Sequence, residues 1–230
     1  SVKNLISLYT NENIGAVLGH IDVYIPEGSE ILSKEVAYRG FETALKYGEG
    51  LIGTTPGAFG GFYSIRKDLF TPLPKNAYSN DDFLIPMSIL KKGYRVIYDR
   101  ESVAYEESGA DVKEEFSRRV RIGAGNYQSL SIIMKDIMKF PLKTIYVFLS
   151  HKVTRWILPY ILTLFFVSTM LLRFVFPLNL LFALELTLLI ASLIQFFLSK
   201  FKVKLPVFSS AYFFFAMNLA LFLGLVRFSK

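Results

Sequence analysis

Three stretches of the chain carry residue types that do chemistry. Asp81 and Asp82 stand side by side in SNDDFLIPMSILKKGYRVIYD, residues 79–99, where a helix starts and a strand follows. One carboxylate at a helix start is stabilised by free backbone N–H groups and the positive end of the dipole. A second beside it adds repulsion, and neighbouring carboxylates push their pKa values apart, as a general base and its neighbour require. Capping and catalysis are both open to the pair. In LIGTTPGAFGGFYSIRKDLF, residues 51–70, Gly57, Gly60 and Gly61 interrupt a strand-like run. Glycine weakens a strand unless something approaches the backbone closely, which points to a ligand or to a bulge or tight turn. The stretch fits neither GxxxxGK followed by Ser or Thr nor GxGxxG, so it is not a phosphate-cradling loop. In EEFSRRVRIGAGNYQ, residues 114–128, Arg118 and Arg121 share one helix face, and Arg119 points away from Arg121. Two guanidiniums on one face suit a diphosphate, although a solvated or headgroup-facing basic face has the same pattern.

The elements that must hold these residues alternate. IGAVLG at 14–19 reads as a strand, 29–47 as a helix with Ser29 at its cap, and 58–66 as a glycine-broken strand. A helix over 82–92, a strand at 94–99 and a long helix over 112–134 follow. On the last, Val112, Phe116, Val120 and Ala124 recur every fourth residue and form a packing face. Strand and helix in alternation predict an α/β layer architecture. Three strands in such a length look like half a sheet.

Beyond residue 155 the composition changes. Trp156–Phe176, Leu178–Leu198 and Pro206–Val226 are apolar runs of about 20 residues, enough to cross roughly 30 Å of hydrocarbon. The whole chain of 230 residues is 52% hydrophobic with net charge +7 and no cysteine, which excludes disulfides and cysteine–metal sites. The basic excess flanks the apolar runs, and no nucleic-acid-binding motif accompanies it. Lys139, Lys143, Lys152 and Arg155 precede the first span, and Lys200, Lys202 and Lys204 separate the second from the third. The positive-inside rule then predicts a multi-pass protein of the cell membrane with its N-terminal region cytoplasmic. Over 140–156, Leu142, Ile145, Leu149, Val153 and Trp156 recur at helical spacing, the pattern of an amphipathic helix lying in the interface or of a core helix of the N-terminal region. The resulting organisation is 1–136, 137–155 and 156–230. Glu185 and Arg173, ionisable groups in the spans, are expected either to pair or to reach the outer surface. His20 and His151 have no metal-ligand companions in the sequence and read as structural or interfacial.

The order of these features is more specific than any one of them. A glycine-broken strand ending in Ile65-Arg66-Lys67, with Leu69-Phe70 just beyond, precedes the Asp81-Asp82-Phe83 helix start. The Gly93-Tyr94-Arg95-Val96 strand, the arginines at 118, 119 and 121, and then the spans complete the series. This order resembles family 2 glycosyltransferases, in particular the membrane-integrated processive branch that includes cellulose, hyaluronan and chitin synthases. The resemblance implies the C-terminal half of a GT-A-type domain, followed by an interfacial helix and three transmembrane helices. It implies inverting transfer from a nucleotide-sugar donor to a saccharide acceptor, with Asp82 as general base and Asp81 beside it. Gly60 and Gly61 would lie in the floor under the acceptor, and Arg121, with Arg118, would bind the nucleotide diphosphate. The family's Q-x-x-R-W motif falls on Arg118 to Ile122, with its glutamine and tryptophan replaced. The family's divalent cation, Mg2+ or Mn2+, is held by a D-x-D in a preceding half, so the chain is expected to be a fragment that depends on a missing N-terminal part or a partner subunit. A lipid-linked acceptor and a non-catalytic membrane subunit are the alternatives.

Overall fold

The computed structural model describes residues 2–24, 30–73, 80–107, 112–201, 203 and 205–229, with side chains left out at 23, 24, 30–39, 107 and 112–115. Two compact units result: 1–111 with 128–153, and 112–127 with 154–230.

The first unit is built on a mixed sheet of three strands, β1 (Ile14–Tyr24), β2 (Tyr63–Ile65) and β3 (Arg95–Glu107), in the order β2-β1-β3. β1 is central, antiparallel to β2 and parallel to β3. Ala16, Val17 and Leu18 are fully buried, as a strand covered on both faces requires. Helices α1 (Val2–Ser7), α2 (Glu30–Leu51) and α3 (Asp81–Lys91) belong to this unit. α3 buries Phe83, Leu84, Ile85, Met87, Ile89 and Leu90, so its start is held by a nearly continuous apolar surface.

Three expectations shift. The strand predicted over 58–66 shrinks to Tyr63–Ile65, because Gly60 has φ +53° and leaves the β region. β1 and β3 run further than 14–19 and 94–99, to Tyr24 and Glu107. β3 continues past Asp99 because the 99–102 segment loops out: pairing jumps from Gly19 with Asp99 to His20 with Val103. The Asp99 carboxylate accepts the N–H groups of Glu101 (3.2 Å) and Ser102 (3.1 Å), which lets a charged turn sit inside a strand. The predicted cap Ser29 lies outside the described residues.

Helix α4 (Val112–Met134) matches its expected bounds. Residues 137–155 contain a short 3-10 turn at Ile137–Lys139, helix α5 (Leu142–Val147) and a π-helical segment, Phe148–Val153. These turns continue into α6 (Thr154–Leu171), so that 142–171 is one helical run. Within the first unit Thr144, Val147 and Phe148 are buried, and Leu142 and Leu149 are exposed. The π turns carry His151 and Lys152 inward.

The second unit contains α6, α7 (Leu178–Ser199) and α8 (Pro206–Phe228) with the first part of α4. Helices 142–171, 178–199 and 206–228 are long and apolar enough to cross a membrane. Leu164, Leu180, Leu184, Phe197 and Leu219 remain more than half exposed, an apolar surface that suits lipid. The Gln195 side chain bridges the α7–α8 turn, donating to the Val203 carbonyl (2.9 Å) and accepting from Leu205 N–H (3.1 Å). Glu185 accepts from the Thr169 hydroxyl, while Arg173 donates to the Met170 carbonyl (2.8 Å) and covers the Phe174 ring. The two charges thus take neighbours other than each other. α4 and α8 touch at Gly123 and Gly224, where a Cβ on Gly224 would meet Gly123 backbone at 2.7 Å.

That approach admits only glycine. Gly224→Val is expected to lower unfolding stability in nanodiscs by about 1–3 kcal/mol. Gly48→Ala, in open space on α2, should raise it by about 0.5–1 kcal/mol through helix propensity. Equal melting temperatures for Gly224→Val and wild type would rule out the close approach.

Candidate active site

Asp82 is positioned by a local conflict in α3. Asn80 precedes the helix in the left-handed region (φ +75°), which asparagine tolerates, and its carbonyl accepts the N–H groups of Phe83 (3.1 Å) and Leu84 (2.8 Å). Asp81 and Asp82 are therefore the first two helical residues, where the dipole favours negative charge. Pro86 lies inside the helix and has no N–H to give the Asp82 carbonyl four residues earlier. Ala58 N–H donates to that carbonyl instead, at 2.8 Å. The 57–61 segment is thereby fixed to the start of α3, and the Asp82 carboxylate accepts the Gly60 N–H.

The two carboxylates differ in surroundings. Asp81 is exposed and Asp82 is half-buried. Burial raises the pKa of Asp82 above its ordinary value and the Asp81 charge adds to this, whereas Lys46, Lys152 and the Gly60 hydrogen bond oppose it. Desolvation, rather than carboxylate repulsion, is thus the larger cause. The Tyr63 hydroxyl is raised as well, first by burial and then by both aspartates. A Cβ added to Gly61 would meet nothing within 4 Å, so the backbone there is open to an approaching molecule. Gly60, by contrast, is required by its positive φ.

Behind the 57–60 segment lies a cluster that the sequence reading missed. Glu42, Lys46 and Glu49 of α2 are 4%, 2% and 8% exposed, and all three face inward. Lys46 Nζ donates to the Gly57 carbonyl and, at 3.4 Å, to the Ala58 carbonyl, and lies 4.6 Å from the centre of the Phe59 ring. Phe59 in turn meets the rings of His20 and Tyr98, whose Nδ1 and hydroxyl are 2.7 Å apart. From the π-helical segment, His151 places Nδ1 2.5 Å from Glu49 Oε1 and Nε2 3.1 Å from Glu42 Oε1. Donating both contacts at once takes an imidazolium, or a proton on one glutamate. Lys152 Nζ lies 3.8 Å from Glu42 Oε2. His151 thus joins two glutamates of α2, a pairing the sequence does not show. Glu42, Lys46 and Glu49 fall at i, i+4 and i+7, a spacing that marks one helix face but equally fits a solvated one.

Of the residues singled out in sequence, Asp81, Asp82, Gly60 and Gly61 come together in the first unit. Arg118, half-buried, and Arg121, exposed, lie on α4 in the second. No group of three or more His, Cys, Asp or Glu able to hold a metal ion occurs among the described residues. No protein-family model and no curated protein matches the chain.

Burial holds Lys46 down to about 7, from an ordinary value of 10.5. Between these values the unfolded chain binds a proton that the folded chain does not, so stability rises with pH across this window. Wild type should therefore gain stability relative to Lys46→Met between about pH 7 and pH 10. Parallel pH–stability curves for the two proteins would contradict the buried placement.

Proposed function

We propose that the chain is the acceptor-side part of a membrane-integrated, inverting glycosyltransferase working at the cytoplasmic face. The carrying observation is the half-buried Asp82 carboxylate, raised in pKa and held by Gly60 N–H beside an open glycine backbone. A base with a raised pKa takes a proton effectively near neutrality. The motif order from the glycine stretch to the spans supplies the reaction class, by resemblance.

In this reading an acceptor sugar lies against Gly60 and Gly61. Asp82 removes the proton from its hydroxyl, the oxygen attacks the anomeric carbon of the donor, and the nucleoside diphosphate leaves with the bonding electrons. A single displacement inverts the anomeric centre, whereas retention by double displacement needs a separate carboxylate nucleophile. Asp81, exposed beside the base, faces the acceptor side. Arg118 and Arg121 offer the planar donor pairs that suit the diphosphate. Among the described residues no group fits the divalent cation of the resembled family, and no step is assigned to it. The basic residues around the first span support a cytoplasmic side for the N-terminal region through the positive-inside rule.

The test is sugar transfer by the native polypeptide, isolated in its own membrane with any partner it requires. Asp82→Asn should reduce turnover by about 10²–10⁴-fold, the usual worth of a general base, and leave nucleotide affinity unchanged. Turnover at the wild-type level would remove Asp82 from the chemistry. Arg121→Ala should weaken nucleoside diphosphate binding about tenfold or more, as loss of a charge-assisted pair does. Unchanged affinity would remove Arg121 from the diphosphate site.

A further inference from the structure

We propose that Lys46 is a positioning residue for Asp82, gripping the 57–59 segment from behind while Asp82 grips 58 and 60 from in front. This deepens the assignment of Asp82 as the base and rests on it for its catalytic meaning. The geometry is a clamp on consecutive residues. Lys46 Nζ takes the carbonyls of Gly57 and Ala58 and lies against the Phe59 ring. Asp82 takes Ala58 N–H on its main-chain carbonyl and Gly60 N–H on its carboxylate. Any movement of the ammonium is passed to the backbone that holds the base.

Electrostatics act in the same direction. The groups bearing on Lys46 are Glu42 and Glu49 on its own helix, Lys152 on the π turns and Asp82 on α3. His151 joins the two glutamates, each through one oxygen. Glu49 Oε2 is buried without a hydrogen-bond partner among the described residues, so the cluster is not fully satisfied. Buried ionic groups of this sort add little net stability, and replacing them with apolar residues is often neutral or better. Below about pH 7, where Lys46 is protonated, it provides a positive charge that acts on the Asp82 carboxylate. Lys152, the other cation acting on Asp82, is held to Glu42 in the same cluster.

The experiment is a carboxyl-carbon NMR titration of the full chain in nanodiscs, labelled at aspartate, with Asp82→Asn assigning the resonance. Lys46→Met should raise the Asp82 titration midpoint by about one unit, because an opposing positive charge is lost. Lys46→Arg should shift it less, since the charge is kept. Amide exchange at Gly60 should accelerate at least threefold in Lys46→Met. If removing the lysine from beside Glu42 and Glu49 prevents folding, Lys46→Met with Glu49→Gln is compared with Glu49→Gln alone, with the same rise expected. An unmoved midpoint together with unmoved exchange overturns the proposal in either background. Because neither measurement needs turnover, this failure is distinct from failure of the general-base assignment, which Asp82→Asn turnover decides.

Discussion

A lysine ammonium buried to 2% exposure needs hydrogen-bond acceptors and counter-charges on every side, and the first unit is arranged to supply them to Lys46. Its acceptors are the carbonyls of Gly57 and Ala58. A regular strand would commit carbonyls to its ladder, so this segment has to be irregular. Gly60 makes the irregularity possible with a positive φ, and regular pairing resumes only at Tyr63. The same segment is then free to turn its N–H groups toward Asp82. One buried charge thus accounts for the broken strand, the inward face of α2 and the π turns that bring His151 and Lys152 to the cluster.

The elements were legible in sequence where one local pattern dominated. α4 over 112–134 and the three apolar runs rest on sustained periodicity or hydropathy. α4 appears as read, and the three runs appear as long apolar helices, the first over 142–171 instead of ending at Phe176. Asp82 could be picked out because two adjacent carboxylates are more than a helix start needs. Pro86 was a readable signal whose meaning depended on a partner: it frees one carbonyl, but only the fold brings Ala58 to it. The cluster was out of reach for a different reason. His151 meets glutamates 102 and 109 residues away, and nothing local connects them. Glu42, Lys46 and Glu49 on one face look like a solvated stripe until burial is known.

The second unit shows how little polarity three apolar helices need. Gln195 satisfies the α7–α8 turn, and Glu185 meets a hydroxyl. The Tyr127 hydroxyl lies within hydrogen-bond distance of the Trp156 carbonyl (3.1 Å) and the Tyr160 hydroxyl (2.8 Å), joining α4 to α6. Packing at Gly123 and Gly224 brings the α4 and α8 backbones together without bulky side chains, as small residues do between helices in lipid. Arg118 and Arg121 sit on the part of α4 held in this unit.

The account turns on Asp82 as a base whose environment raises its pKa. The most direct measurement is the pH dependence of sugar transfer by the native membrane-bound polypeptide, with labelled nucleotide sugar as donor. The account predicts a one-proton loss of rate on the acid side, with a midpoint above the ordinary carboxylate value of about 4 and lower in Asp81→Asn. A rate that stays level through that range, or a midpoint indifferent to Asp81, would contradict it.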